Sequence, residues 1–169
     1  MGDKISRWWW GGNPDQKHEI SGMTLKDVYN VQHSWKTINA NPLDNGYLMF
    51  FRLFEVNPES KTFFKILDNA RTETEMRDNV RFRAHVLNIM AALNNSIENL
   101  NKPEIVVVWM EKLGTAHRRS HVQERHFLIF KDVLVNILKN DLKLSEAVVK
   151  SWGRYVTFIY SYILPKLSS

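Results

Sequence analysis

Residues 82–117 read FRAHVLNIMAALNNSIENLNKPEIVVVWMEKLGTAH and set the architecture of the chain. Apolar residues recur there at steps of three and four, which is the period of an amphipathic α-helix. Proline is common at the first position of a helix, so Pro103 is predicted to begin a second helix. His85 and His117 lie on the apolar stripes of the two predicted helices. Because an unpaired imidazole is costly to bury, each histidine needs a partner.

Helical signals extend to both sides of this stretch. Thr24 is a predicted N-cap, and Asn41-Pro42 is a second helix start. Asn57-Pro58 ends that second helix and begins a short one, and residues 68–79 form a polar loop with a turn or two of helix. Residues 105–109 have strand propensity, but no other strand can pair with them, so we expect a helix. The same apolar period predicts helices over residues 25–38, 127–138 and 148–163, the last ending at Pro165.

The composition indicates one compact domain with an all-α fold. The chain has 169 residues, of which 44% are hydrophobic, enough for a single core. We expect the domain to span residues 24–165, between an N-terminal tail over residues 1–23 and a C-terminal tail over residues 166–169. The net charge is +5, and the 23 Lys and Arg residues are scattered along the chain. No nucleic-acid partner is therefore expected.

The absence of cysteine excludes disulfides, thiolate metal ligands and iron–sulfur clusters. No apolar run reaches the length of about 18 residues that suggests a membrane span, and no secretory signal is recognisable. We therefore expect a cytoplasmic protein.

The N-terminal tail has its own pattern. Gly2 and Ser6 fit the loose N-myristoylation motif, which would associate the chain with membranes. The tail also holds residue types that favour a membrane–water interface, namely Lys4, Arg7 and the tryptophans at 8–10. It is therefore a candidate for a weak membrane contact. The preferred interpretation is a flexible tail whose indole rings pack on the domain or bind a partner.

The two histidines form a candidate metal site. They stand 32 positions apart, and each helix spans about 22 Å at 1.5 Å per residue. Antiparallel, splayed helices would therefore bring the two side chains level, with a gap between them. Neutral imidazole is a common metal ligand, and surroundings of Phe, Ile, Val and Leu without thiolate or carboxylate point to haem. The alternative that each is an ordinary core histidine stays open on these residues alone.

The order of several motifs resembles the globin family. Trp35 stands 23 positions before Pro58, as the first-helix tryptophan does in many globins. The similarity covers roughly residues 24–165 and implies the globin fold, with about seven to eight helices packed around a haem pocket. The stretches that carry it are FFRLF at 50–54, NPES at 57–60, FF at 63–64, FRAHV at 82–86 and LGTAH at 113–117.

The resemblance also implies roles for individual residues. His117 would be the proximal ligand of the haem iron, and His85 the distal residue. Leu113 would pack under the porphyrin and Phe64 against its face. The other residues implied are Phe50 and Ile89 in the distal wall, Val122 at the haem edge, and Arg118 and His121 at the propionates. His18, His33 and His126 are assigned no function.

A distal histidine works in one of two ways. In a five-coordinate storage or transport globin, His85 donates a hydrogen bond to O2. In a bis-histidyl, six-coordinate globin, His85 itself binds iron, which suits a redox, oxygen-sensing or signalling role. We prefer the second, because the 32-residue spacing and Phe50 resemble nerve-type globins. The expected partners are then O2, CO and NO, with a redox partner and a homodimer as further hypotheses.

Two alternatives come from other functional classes. In the first alternative the chain is a haem enzyme, such as a nitric oxide dioxygenase or nitrite reductase. In the second it is a cofactor-free helical binding module that uses its tryptophan tail. A dedicated enzyme is not expected, since neither a flavin domain nor a distal acid–base pair beyond His85 is recognisable.

Overall fold

The computed structural model describes Trp10 and residues 12–168. The prediction of an all-α fold is confirmed: within that range the only strand-like feature is an isolated bridge between Lys17 and Thr24. None of the described helices combines the length and apolar character needed to cross a bilayer. The α-helices are α1 (Leu25–Asn39), α2 (Pro42–Val56), α3 (Glu73–Asp78), α4 (Val80–Glu98), α5 (Pro103–Arg118), α6 (Glu124–Asn136) and α7 (Glu146–Ile163). Short 3-10 helices cover Pro58–Phe63, Lys65–Leu67 and Leu164–Leu167, and a π-helical turn covers Ile137–Asp141.

Local chemistry sets the helix ends. The Thr24 hydroxyl accepts a hydrogen bond from the Asp27 backbone N–H and caps α1. Pro42 and Pro103 occupy the first turns of α2 and α5, where the missing N–H costs nothing. The Asn79 side chain accepts from two backbone N–H groups at the start of α4. The prediction that residues 105–109 are helical is confirmed, since they lie within α5.

The core joins the first and last helices and the two histidine-bearing ones. Trp35 of α1 lies 6.1 Å from Trp152 of α7 between ring centroids, and Trp152 donates a hydrogen bond to the Ser34 hydroxyl. Helix α2 packs against α4, and α5 packs against α7. Helices α4 and α5 are thereby held by different partners, which leaves room between them.

The N-terminal segment predicted to lie outside the fold, residues 1–23, contributes at least one residue to the core. Met23 is only 1% exposed and belongs to the core. The backbone of His18 donates to the Met23 carbonyl (2.9 Å), and Gly22 makes the turn between them with φ +65°. An unbranched apolar side chain gains more from burial than from solvent exposure, so this segment folds back onto α1. The proposed acylation site Gly2 and the tryptophans Trp8 and Trp9 lie outside the described residues.

Ordered structure continues past the predicted C-terminal boundary at residue 165. Pro165 cannot continue an α-helix, and the chain turns instead into the 3-10 helix Leu164–Leu167. That segment packs against α5, where Lys166 forms an ion pair with Glu111 at 3.2 Å. The last described residues therefore belong to the domain.

A buried carboxylate ties the start of α1 to α7. Asp27 is 2% exposed and accepts hydrogen bonds from the Thr24 N–H (3.0 Å), the Ser151 hydroxyl (2.8 Å) and the Arg154 guanidinium (2.6 Å). Burial by itself would raise the pKa of Asp27, but these hydrogen bonds outweigh burial and lower it. The folded state therefore favours the ionised form.

Asp27→Asn should destabilise the fold by about 2 kcal/mol at pH 7, because a buried charged hydrogen-bond acceptor is lost. A carboxyl with a lowered pKa stabilises the fold above its ordinary value of 3.8, and this contribution is lost as the pH falls toward the lower folded value. The gap between wild type and variant in urea unfolding should therefore narrow from pH 7 to pH 3. Asp15→Asn is the control, since its ion pair with Lys26 is solvent-exposed and should matter little. A gap that stays constant with pH contradicts the assignment.

Gly114 lets α5 approach the end of α7. A Cβ atom at this position would collide with the Ile163 carbonyl oxygen and stand 2.8 Å from Cβ of Lys166. Because the obstructing oxygen is backbone, it cannot move aside as a flexible side chain does. Gly114 lies three residues before His117, so this contact also positions the histidine.

Gly114→Ala should destabilise the fold by roughly 2 kcal/mol through overpacking. The matched control is Gly153→Ala in α7, where an added Cβ meets nothing within 4 Å. That change should stabilise the fold by about 0.5–1 kcal/mol, since alanine is the better helix former. Urea unfolding of both variants measures the difference, and equal effects would show that the α5–α7 approach is not tight.

Candidate functional site

A large apolar cavity lies between α2, α4, α5, α6 and α7. It encloses about 1080 Å³ of space outside the protein atoms, part of it open to solvent, and its lining is predominantly hydrocarbon and aromatic. Its size suits a ligand larger than a bare ion. Seven residues singled out from the sequence line it: Phe50, Phe64, His85, Ile89, Leu113, His117 and Val122.

His117 stands in the last turn of α5 with one ring nitrogen already engaged. Its Nδ1 lies 2.9 Å from the Leu113 carbonyl oxygen. Because a carbonyl only accepts, Nδ1 carries the hydrogen and donates it, which leaves the lone pair on Nε2. The ring also packs edge-to-face on Phe127, with centroids 5.2 Å apart. The local fold therefore fixes both the tautomer and the orientation of His117.

His85 enters the same cavity from α4. Its ring lies 5.1 Å from that of Phe64 and 5.7 Å from that of Phe50, between centroids. Burial lowers the pKa of His85, and the proximity of His117 lowers it further. The cavity thus favours the neutral form of His85, which is the form that can ligate a metal.

An aromatic cluster determines where His85 stands. Phe50 and Phe54 of α2, Phe64 of the connecting segment and Phe82 of α4 have ring centroids between 5.4 and 6.2 Å apart. Phe82 is fully buried three residues before His85. One turn of α4 is thereby clamped onto α2, and the histidine one turn further on points to the cavity.

Two residues from the sequence analysis are not part of this lining. Arg118 is the solvent-exposed last residue of α5, and His121 is solvent-exposed in the turn that follows, with a left-handed backbone at φ +58°. They lie beyond the cavity wall formed by Val122. Their suggested contact with propionates is an expectation about the outer edge of a bound haem.

Several polar residues of the lining escaped the sequence analysis. Tyr155 lies in the lining with its hydroxyl 2.5 Å from that of Ser96, and Tyr160 donates to the Phe127 carbonyl at 2.7 Å. His126 also lines the cavity, although the sequence suggested no partner for it. The apolar period of α7 includes Tyr155, but the position of Ser96 becomes apparent only once the helices are packed.

The donor set fits haem. Three imidazoles, those of His85, His117 and His126, line a cavity whose lining residues include no carboxylate. In the part of the chain that the structure describes, no group of three or more His, Asp or Glu side chains is placed to hold a metal ion. Iron in a flat, largely apolar ring system needs only axial protein ligands, and histidine is the usual one.

Comparison with known proteins identifies the family. The family model described as Globin matches residues 48–163. Cytoglobin-2 of Oryzias latipes is 27% identical over 152 residues, which are 88% of this chain and 85% of the relative. Neuroglobin of Dissostichus mawsoni is 26% identical over 146 residues, or 86% of this chain and 91% of the relative.

Solved structures agree with the architecture. A Drosophila melanogaster globin superposes with a TM-score of 0.77 at 24% identity, covering 83% of this chain and 93% of that one. A structure of a D. melanogaster hexa-coordinate haemoglobin gives the same values. The predicted globin fold is confirmed. The chain belongs to the globin family, and its cofactor is haem.

Proposed function

We propose that this globin binds haem between His117 and His85, with both imidazoles as axial ligands of the iron, and serves a redox, oxygen-sensing or signalling role. The observation that carries the proposal is the placement of two imidazoles in the lining of one apolar cavity, on helices α4 and α5. The fold shared with a D. melanogaster hexa-coordinate haemoglobin supports it. Haem iron supplies the binding of O2, CO and NO.

His117 acts as the proximal ligand in this proposal. Its Nε2 lone pair is available because Nδ1–H is donated to the Leu113 carbonyl. Such a hydrogen bond orients the ring and raises the basicity of the ligating nitrogen. Leu113 lies one helical turn before His117 and presents an apolar side chain to the same cavity.

His85 acts as the second axial ligand. The pKa of His85 is lowered by burial first and by His117 second, so protons compete weakly for its lone pair near neutral pH. Phe50 and Phe64 hold the ring on two sides. With haem held by both histidines, a gas would find a free position on the iron only when His85 is released.

The remaining wall residues exclude water and shape the cavity. Phe50, Phe64, Ile89 and Val122 present apolar surface. Arg118 and His121, outside the lining, are proposed to meet the propionates at the solvent edge. A redox partner, a homodimer and a membrane contact through Gly2 remain predictions from the sequence.

His85→Leu should convert the unliganded ferrous protein from a six-coordinate low-spin spectrum to a five-coordinate high-spin one, because leucine offers no lone pair. CO should then bind without waiting for dissociation of a protein ligand, so its association becomes faster and depends linearly on CO concentration. Optical spectra and flow kinetics measure both effects.

His33→Leu is the matched control. His33 is exposed on α1, where its ring stacks on Tyr29, and its loss should leave the spectrum unchanged. If the wild-type unliganded ferrous form is already five-coordinate, His85 is not an iron ligand and the storage or transport alternative is favoured.

His117→Gly should release haem far more readily, with a loss of affinity beyond the roughly 10- to 100-fold that removal of an outer hydrogen-bond partner costs. Added imidazole should restore binding, because the free molecule fits the space that the side chain vacates. Haem transfer to an acceptor apoprotein, with and without imidazole, measures this. His33→Gly introduces the same helix penalty away from the cavity and should retain haem. Retention by His117→Gly without imidazole would refute the proximal assignment.

A further inference from the structure

Two buried polar atoms in the cavity wall have no hydrogen-bond partner among the described residues. They are Oγ of Ser60 and Nε2 of His126, and both are shielded from solvent. Ser60 is 3% exposed and His126 is 7% exposed, and both residues line the cavity. Leaving such a group without a hydrogen bond in the interior is costly, so a fold rarely keeps two of them together.

Contacts on both sides of the pair bring the two residues to one place. The ring of Phe63 lies 4.6 Å from that of His126, between centroids. Next to them, Arg125 forms an ion pair with Glu59 at 3.2 Å. The 3-10 helix Pro58–Phe63 and the start of α6 are thus directly apposed, and each contributes one of the two unsatisfied residues, Ser60 and His126, to the cavity lining.

The hydrogen-bonding roles of the pair follow from the local structure. The Gln123 backbone N–H donates to Nδ1 of His126 at 2.9 Å, so this nitrogen carries no hydrogen. Burial lowers the pKa of His126, which keeps the ring neutral with its hydrogen on Nε2. Nε2–H is therefore a donor in need of an acceptor. The Ser60 hydroxyl can either donate or accept.

The groups around Ser60 and His126 determine which kind of molecule can bind to them. The neutral ring offers no charge to balance an ion, and the adjacent charges of Arg125 and Glu59 are paired with each other. An apolar group would leave both polar atoms unsatisfied. Buried water typically makes two to four hydrogen bonds to such groups. We propose that Ser60 and His126 hold one buried water molecule in the cavity wall, which accepts from Nε2–H and bonds to the Ser60 hydroxyl.

The site does not depend on how the iron is ligated. It rests on Ser60 and His126 alone, and neither is a proposed axial ligand. Any small neutral solute that enters the cavity with an acceptor atom would compete with this water. The wall therefore adds one position of hydrogen-bonding specificity to an otherwise apolar space.

A double-mutant cycle in urea unfolding tests the proposal on the purified full chain. Ser60→Ala and His126→Asn should each lower the folding equilibrium constant about tenfold, because each leaves the water short of a partner. The asparagine amide oxygen replaces Nδ1 as the acceptor for Gln123, so only the Nε2–H donor is lost. The double variant should be no less stable than either single variant.

Two controls isolate the water-mediated coupling. His126→Gln places an amide donor near the position of Nε2, so Ser60→Ala should still cost about tenfold in that background, but nothing in the His126→Asn background. Ser120→Ala removes an exposed hydroxyl and should be neutral. If Ser60→Ala and His126→Asn each raise stability, and do so additively, the two atoms are merely unsatisfied and the proposal fails.

Nuclear magnetic resonance of the diamagnetic CO-bound ferrous form identifies the occupant. The Nε2–H proton of His126 should exchange slowly and show a cross-peak at the water frequency. A cross-peak only to the Ser60 hydroxyl would mean a direct hydrogen bond. A cross-peak only to haem protons would mean that the cofactor fills the site. Either result overturns the proposal.

Discussion

The hydrogen bond from Nδ1 of His117 to the Leu113 carbonyl is the constraint on which the site depends. An imidazole can ligate a metal only through a nitrogen that keeps its lone pair, and this bond makes Nε2 that nitrogen. It arises within one helical turn, so it forms whenever α5 forms. The α2–α4 aromatic cluster and the α5–α7 approach at Gly114 then set the opposite wall and the distance across the cavity.

Most of the fold could be predicted because its signals are local. Thr24, Pro42 and Pro103 begin helices for reasons that involve only their nearest backbone neighbours. The two ends of the domain could not be placed in this way. Met23 is buried in the core, and Lys166 is held by Glu111 of another helix. Burial of Met23 and the pairing of Lys166 depend on how the helices pack, and a composition rich in tryptophan, glycine and proline near the N terminus gives no sign of that packing.

In the candidate site, too, some residues could be found from the sequence and others could not. His85 and His117 could be found because an imidazole on an apolar stripe is conspicuous, and the family resemblance supplied their aromatic neighbours. Arg118 ends α5 and His121 lies in the turn after it, and both are at the surface. His126, in contrast, lines the cavity although its sequence context did not suggest this. It belongs to the first turn of α6 and looks like a capping residue, and only the packing of the 3-10 helix Pro58–Phe63 against it exposes its second nitrogen to the cavity.

The 3-10 helix Leu164–Leu167 packs against α5, the helix that carries His117. It meets α5 at Glu111 and Gly114, within two turns of the histidine. Weakening the contact between this 3-10 helix and α5 would therefore disturb the residue proposed to hold the iron, although Ile163 is the last described residue in the cavity lining. How firmly this globin retains its prosthetic group is thus expected to depend in part on a segment that lies outside the cavity.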